Sequence, residues 1–245
     1  MKLRAIISIK QLLRNIVYQL FRIYNRYLEN KVLVYDLQTI EIIKRQPVDA
    51  VCIDIGVNEG QMLSYLNKHC KKGQVFGFEP IPDLNRYLTR KFKNKRIQIQ
   101  ELALSDVNGE LEFFYFPDRK AVSGLRSREM SESYNLIKVQ TRKLDDIFQS
   151  DRLDFIKIDV EGAEYNVLKG AHNTLYKHHP VLVFESGLGG LEHFGNTPEE
   201  LFDFLNALNY NISTLKYYLR GCESMSKEEF LSNFLKGYDY QYIAY

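Results

Sequence analysis

The sequence predicts an α/β protein built on a doubly wound, mostly parallel sheet. Strand-length apolar runs alternate with helical patterns from residue 48 onward. The first run opens through a glycine turn into a helix, in Val51-Cys-Ile-Asp-Ile-Gly-Val-Asn-Glu-Gly60. The second ends on an acid, in Phe76-Gly-Phe-Glu79-Pro80, at about the 20-residue spacing of a βαβ nucleotide site. A chain of 245 residues is long enough for one such domain and a small appendage.

Residues 3–28 carry Ile6, Ile9, Leu13, Ile16, Leu20, Ile23 and Tyr27 on one stripe and Lys10, Arg14, Arg22 and Arg26 on another, the pattern of a basic amphipathic helix. Lys2, Arg4 and these four bases all precede the first acid, Glu29. Uncharged stretches here are shorter than the roughly 20 residues that span a bilayer. No apolar block ends in small residues, so the segment is expected neither to span nor to be cleaved. A peripheral contact with the inner, anionic face of a membrane satisfies the pattern. Packing on the catalytic domain or on a second subunit satisfies it equally. The expected division is a helix over 1–30 and a domain over 31–245.

A second helical segment is read at 33–44. Strands follow at 48–55, 74–79, 96–102, 154–159 and 180–185, with helices at 61–70, 83–93, 162–170 and 198–208. Extra strands at 110–116 and 136–141 flank a polar, Ser- and Arg-rich loop over 119–134, either a substrate lid or a disordered excursion. Tyr238 to Tyr245 suits a C-terminal strand, or rings that stack on sugars.

Composition narrows the function. The formal net charge of +2, with no basic groove of interleaved aromatics, argues against nucleic acid. Cys52, Cys70 and Cys222 show neither C-x-x-C spacing nor an even count, which predicts no disulfide framework and no zinc site, and a reducing, cytoplasmic setting. Cys52 is read as a small buried hydrophobe.

The first turn discriminates between ligands. A pyrophosphate site needs bare backbone N–H groups in G-x-G-x-x-G. This turn instead reads Asp54-x-Gly56-x-Asn58-Glu59-Gly60 and sets two carboxylates where the pyrophosphate would lie. It suits the cationic cofactor S-adenosylmethionine. Glu79, with Pro80 behind it, would accept the ribose hydroxyls. Ser105 and Asp106 border the adenosine pocket, where Asp106 would accept from the adenine amine or simply form a turn.

The run Asp154-Phe-Ile-Lys157-Ile-Asp159-Val-Glu161-Gly162-Ala-Glu164 is the second centre. Alternation puts Lys157, Asp159 and Glu161 on one face, where three ionisable groups are expensive to desolvate unless paired. They are read as a catalytic network, with the acids and Lys157 together tuning a base toward neutral pH, or as an ion-pair network that supports the glycine turn. Glu164 is read as a charge at a helix N-terminus. Asp159, Glu161 and Glu185 would also serve as a Mg²⁺ site, although nothing forces a metal. His69, His172, His178 and His179 fall on the far edge or its helices. His193, in the glycine-rich segment Ser186 to Gly195, follows a strand on the ligand edge and is the second candidate base.

Taken in order, Asp54-Ile-Gly-x-Asn58-x-Gly60, Phe78-Glu79-Pro80-x-Pro82, Ala103-Leu-Ser-Asp106-x-x-Gly109, Thr141-x-x-Leu144-Asp145-Asp146, Ile156-Lys-Ile-Asp-Val-Glu-Gly-Ala-Glu164 and Leu168-Lys-Gly-Ala171 closely resemble the FkbM family of S-adenosylmethionine-dependent methyltransferases. The resemblance covers residues 48 to 208; Val57 stands where the family commonly has Ala. It implies a class I methyltransferase fold, a Rossmann-like seven-stranded sheet whose last strand is antiparallel. It also implies O-methylation of sugar or polyketide-like hydroxyls, often in polysaccharide tailoring. Two rivals share parts of this pattern: an NAD(P)-binding oxidoreductase, and a non-catalytic membrane-associated scaffold.

Overall fold

A computed structural model describes residues 33–117, 120, 123–125 and 134–245. The expected helix over 3–28 and most of the loop over 119–134 lie outside them. The chain divides into two units, 1–39 and 40–245. Of the first, residues 33–39 are described and are helical; this helix (α1) is assigned over 33–45. Among the described residues, no helix is long and apolar enough to cross a membrane.

The second unit is an α/β sandwich. Its strands and helices are β1 (Val51–Ile55), α2 (Gln61–His69), β2 (Gln74–Phe78), α3 (Pro82–Lys91), β3 (Ile97–Gln100), β4 (Ala103–Leu104), β5 (Gly109–Tyr115), β6 (Asn135–Arg142), α4 (Leu144–Ile147), β7 (Phe155–Ile158), α5 (Glu164–Lys169) and α6 (His172–His178). Then come β8 (Val181–Glu185), α7 (Pro198–Ala207), β9 (Ile212–Thr214), α8 (Leu215–Leu219), α9 (Lys227–Lys236) and β10 (Gln241–Ala244). The main sheet has the order β3-β2-β1-β7-β8-β10-β9. All its pairs are parallel except those of β10, which runs antiparallel to both β8 and β9. This is the seven-stranded arrangement expected, and the strands and helices read from the sequence between residues 33 and 245 are present within a few residues.

Covered parallel strands are buried on both faces, hence the continuous apolar runs. Every residue of β1 and of β7 is buried. Phe78, Phe155, Phe184, Phe230, Phe234 and Tyr242 are almost fully buried, each worth about 1.5–3 kcal/mol by burial alone. Tyr242 places its hydroxyl within the interior by donating to Asn233 Oδ1 at 2.8 Å, so the central antiparallel strand is tied to α9.

The run over 96–102 divides. β3 ends at Gln100, and β4 leaves the main sheet to pair with β6 in a separate three-stranded sheet, β4-β6-β5. β9, α4, α6, α8 and α9 add to the elements read from sequence. α9 is opened by a capping box, Ser226 with Glu229. His172 is the first residue of α6.

Cys52 in β1 and Cys70 at the end of α2 are both fully buried, with sulfurs 3.6 Å apart, whereas Cys222 is exposed. The contact with Cys70 and burial together push the Cys52 thiol up. In the native protein a thiol reagent such as Ellman's should therefore titrate one cysteine, and all three only after unfolding. Fast reaction of a second thiol before unfolding would mean that the β1–α2 packing is looser than described.

Candidate functional site

The carboxyl edge of the sheet assembles the site from the turns after β1, β2, β7 and β8. β1 ends at Ile55, and Gly56 turns with φ 77°. A side chain there would place its Cβ 1.8 Å from the Asp159 carbonyl oxygen, so the β1 and β7 turns meet backbone to backbone and only glycine fits. Asn58 and Gly60 are also left-handed, at φ 50° and 78°. Gly56 and Val57 donate to the Phe78 carbonyl at 3.0 and 3.3 Å.

Asn58 donates its backbone N–H to Glu79 Oε2 at 2.8 Å, and Ile81 donates to Glu79 Oε1 at 3.0 Å. The loop donor that a pyrophosphate would seek is thus taken by a carboxylate. Glu79 is 3% exposed, and burial pushes it up to about 7 against these two donors, with Asp54 adding to the rise. Pro80 follows, half-buried. Asn58 Oδ1 is buried without a partner.

Behind the turn lies an ionic axis. In the β1–β7 register Asp54 stands opposite Lys157. Lys157 Nζ lies 3.9 Å from Asp54 Oδ1 and donates to Asp159 Oδ2 at 3.0 Å. Burial opposes the ammonium charge, but Asp159, Asp54 and Glu185 outweigh it and hold Lys157 above its ordinary range. Asp54 is 0% exposed, and neither of its oxygens has a hydrogen bond of good geometry. Burial pushes it up to about 6, while Lys157 and, more weakly, the Leu63 amide pull the other way. Asp159 is at the accessible end of the axis, with its side chain 32% exposed.

Several expectations need correction. β7 ends at Ile158, so strand alternation does not carry Glu161 onto the face of Lys157 and Asp159. Glu161 sits in a turn at φ 57°, followed by Gly162 at 103°. Glu164 is more than a charge at a helix terminus. Its Oε1 accepts from the Val160 and Gly162 amides at 3.0 and 3.1 Å, bracing that turn, and burial pushes it up to about 7. Glu59 is exposed, which leaves Asp54 and Glu79 as the buried acids at the glycine turn. Ser105 and Asp106 hold β4 to α5: Asp106 Oδ1 accepts from Asn166 at 2.9 Å and from Ser105 at 3.2 Å, and Oδ2 pairs with Lys169 at 2.9 Å. Partial burial works against its charge, but Lys169 and Asn166 keep Asp106 below its usual range. Both oxygens thus have protein partners, and Asp106 joins β4 to α5 whether or not it also meets a ligand.

The loop after β8 reaches the same edge. A Cβ on Gly162 would meet the Gly190 backbone at 2.8 Å, so the turns after β7 and β8 touch. His193 is exposed on the 3-10 turn Leu191–Phe194 that follows. Among the described residues, no group of three His, Cys, Asp or Glu side chains is placed to share a metal ion, so Asp159, Glu161 and Glu185 are not gathered as a magnesium site. The bracing role of Glu164 escaped the sequence reading because it depends on a buried turn folding back on its own helix.

The methyltransferase FkbM domain family matches residues 54–212, more than half of the chain. A 2-O-methyltransferase, NoeI of Sinorhizobium fredii, is 31% identical over 149 residues, covering 53% of this chain and 60% of the relative. A hexuronic acid methyltransferase, AglP of Haloferax volcanii, is 28% identical over 144 residues, covering 58% of each. The chain thus spans less than two thirds of the length of these relatives. A crystal structure of a methyltransferase FkbM from Methylobacillus flagellatus KT shares the fold, with TM-score 0.50 and 19% identity, over 82% of this chain and 44% of that one.

Asp54, Glu79 and Glu164 are all raised from ordinary carboxyl values of 3.8 and 4.5 to about 6 or 7. The folded state then binds protons that the unfolded state releases, so their stabilising contribution is complete below about pH 4 and is lost as pH rises through 7. Thermal unfolding of the ligand-free protein should occur at a lower temperature at pH 8 than at pH 5.5. Lys157→Met should cost roughly 3 kcal/mol at pH 8, by leaving Asp54 buried without a counter-charge, and less at pH 5.5, where Asp54 takes up a proton. Equal losses at the two pH values in denaturant titrations would refute the ionic axis.

Proposed function

The chain belongs to the FkbM methyltransferase family, and on that premise we propose that it transfers the methyl group of S-adenosylmethionine to a hydroxyl oxygen of a sugar, a glycan or a related small molecule. The observation that carries the cofactor assignment is Glu79. It is buried at the end of β2, locked by the Asn58 and Ile81 amides, and each oxygen keeps further acceptor capacity for a ribose hydroxyl. Gly56 and Gly60 let the turn close tightly against the β7 turn and against Leu88 and Phe92, which fixes its backbone next to Glu79. The unpartnered oxygens of Asp54 and Asn58 favour a ligand bearing an ammonium group. A dinucleotide is disfavoured because Glu79 already occupies the turn's Asn58 donor.

When bound, S-adenosylmethionine supplies an electrophilic sulfonium methyl. Asp159 acts on the acceptor. Lys157 fixes its Oδ2, and the exposed part of the carboxylate orients the hydroxyl and accepts its proton as the oxygen–carbon bond forms. Asp159 takes this role ahead of His193 because Lys157 holds it in place on the sheet edge. Glu164 keeps the β7 turn in shape through the Val160 and Gly162 amides. Charge on sulfur disperses in the transition state, so acids are better used on the acceptor than against the sulfonium. The relatives that methylate a 2-hydroxyl or a hexuronic acid support a sugar-like acceptor.

Calorimetric titration tests the cofactor. Wild-type protein should bind S-adenosylmethionine saturably, Glu79→Ala should abolish the signal, and NADH should give none. A cationic ligand favours the ionised forms of Asp54 and Glu79, which are raised to about 6 and 7, so binding should release protons and tighten between pH 5.5 and 8. Silence from folded wild-type protein would sink the reading. With radiolabelled methyl donor and a panel of hydroxylated glycans, Asp159→Asn should lower turnover by about 10²-fold or more while leaving cofactor affinity intact.

A further inference from the structure

A cleft of about 300 Å³ lies on the face of β2 and β3 opposite α2, walled by the chain leaving α4. Gln74 and Phe76 enter it from β2, Gln98 and Gln100 from β3, and Phe148 and Gln149 from the wall. Glu79, next along β2, is turned instead to the glycine loop. The cleft therefore belongs to a different face of the sheet from the cofactor residues.

We propose that this cleft is a second carbohydrate-binding site, which holds a neutral, polyhydroxylated glycan segment while another part of the same glycan is presented at the catalytic edge. Its four glutamine amides have no hydrogen-bond partner among the described residues. A primary amide carries two donors and a carbonyl acceptor, the complement of hydroxyls that both give and take. Phe76 and Phe148 add apolar surface for the C–H faces of a sugar ring. In the β2–β3 register Phe76 stands beside Gln98, so ring and amide lie one strand apart, about 4.8 Å.

No ionisable side chain lines the cleft. A charged ligand would find no counter-charge there, which favours a neutral occupant. Phe148 is fixed by edge contacts with Phe76 at 5.5 Å and with His178 at 5.9 Å, so the wall is preformed. Gln98 and Gln149 are exposed and reachable. The volume is at the small end of the roughly 300–1,000 Å³ of ligand sites, enough for a short segment. Retaining one part of a chain raises the effective concentration of the rest at the active edge, so even weak binding is useful.

The full-length protein would be applied to an array of neutral and uronate-bearing oligosaccharides, and retained sugars titrated by calorimetry. Retention of neutral oligosaccharides is expected, weakened about tenfold or more by Gln98→Arg and by Gln149→Arg, with S-adenosylmethionine affinity unchanged. Thermal melts would check that these exposed positions leave the fold intact, with Gln98→Ala as the milder variant. An array silent for neutral sugars, or binding untouched by both arginines, overturns the proposal. So does binding that falls with Asp159→Asn instead, since the sugar would then lie in the acceptor site. Silent arrays with intact cofactor binding overturn this site alone; retained sugars without cofactor binding overturn methyl transfer alone.

Discussion

The buried ammonium of Lys157 is the contact on which the rest of the site depends. It lies between Asp54 on β1 and Asp159 after β7, so one charge joins the two central strands at the edge where their turns meet. The glycine turn rests directly on that join, because Gly56 packs against the Asp159 carbonyl with no room for a side chain. A buried ion pair is a weak device for stability, since desolvation offsets most of the attraction. Its value here is geometric: it brings a fixed carboxylate and a bare glycine turn to the same edge.

Around that axis the protein holds carboxyl groups in burial that raises each of them. Asp54 lacks good hydrogen bonds, Glu79 is held by two loop amides, and Glu164 braces the β7 turn through two more. The first two flank the glycine turn, and the third supports the turn that follows Asp159. A ligand-free site of this kind is strained electrostatically, and an ammonium-bearing ligand with ribose hydroxyls would relieve the strain. Binding and ionisation are therefore coupled through the same residues.

The departure of β4 from the main sheet has a consequence on the other face. In building the sheet β4-β6-β5, the connection from β3 to β7 brings Ile147 to Ser150 to the face of β2 and β3 opposite α2, where they wall the cleft. Phenylalanines and unpaired glutamines line that face, whereas β1 and β7 are buried throughout.

Much of the architecture was legible in the sequence because it depends on local periodicity. The apolar runs of β1, β7 and β8, the glycine turn at Gly56 and Gly60, and the acid at Glu79 are each set by neighbours in the chain. Their order implied the doubly wound sheet, and the family resemblance its antiparallel last strand. The division of 96–102 into two sheets was not legible, since Gln100 and Ala103 choose partners 20 to 40 residues away. Glu59, Glu161 and Asp106 were read by spacing as site acids. Spacing did not reveal that Glu59 is exposed, that Glu161 sits in a left-handed turn, or that Asp106 is paired with Lys169. The sequence by itself determined which residues could carry charge to the ligand edge. Tertiary structure decided which of them meet, because a buried charge keeps its place only where another strand or turn brings it a partner.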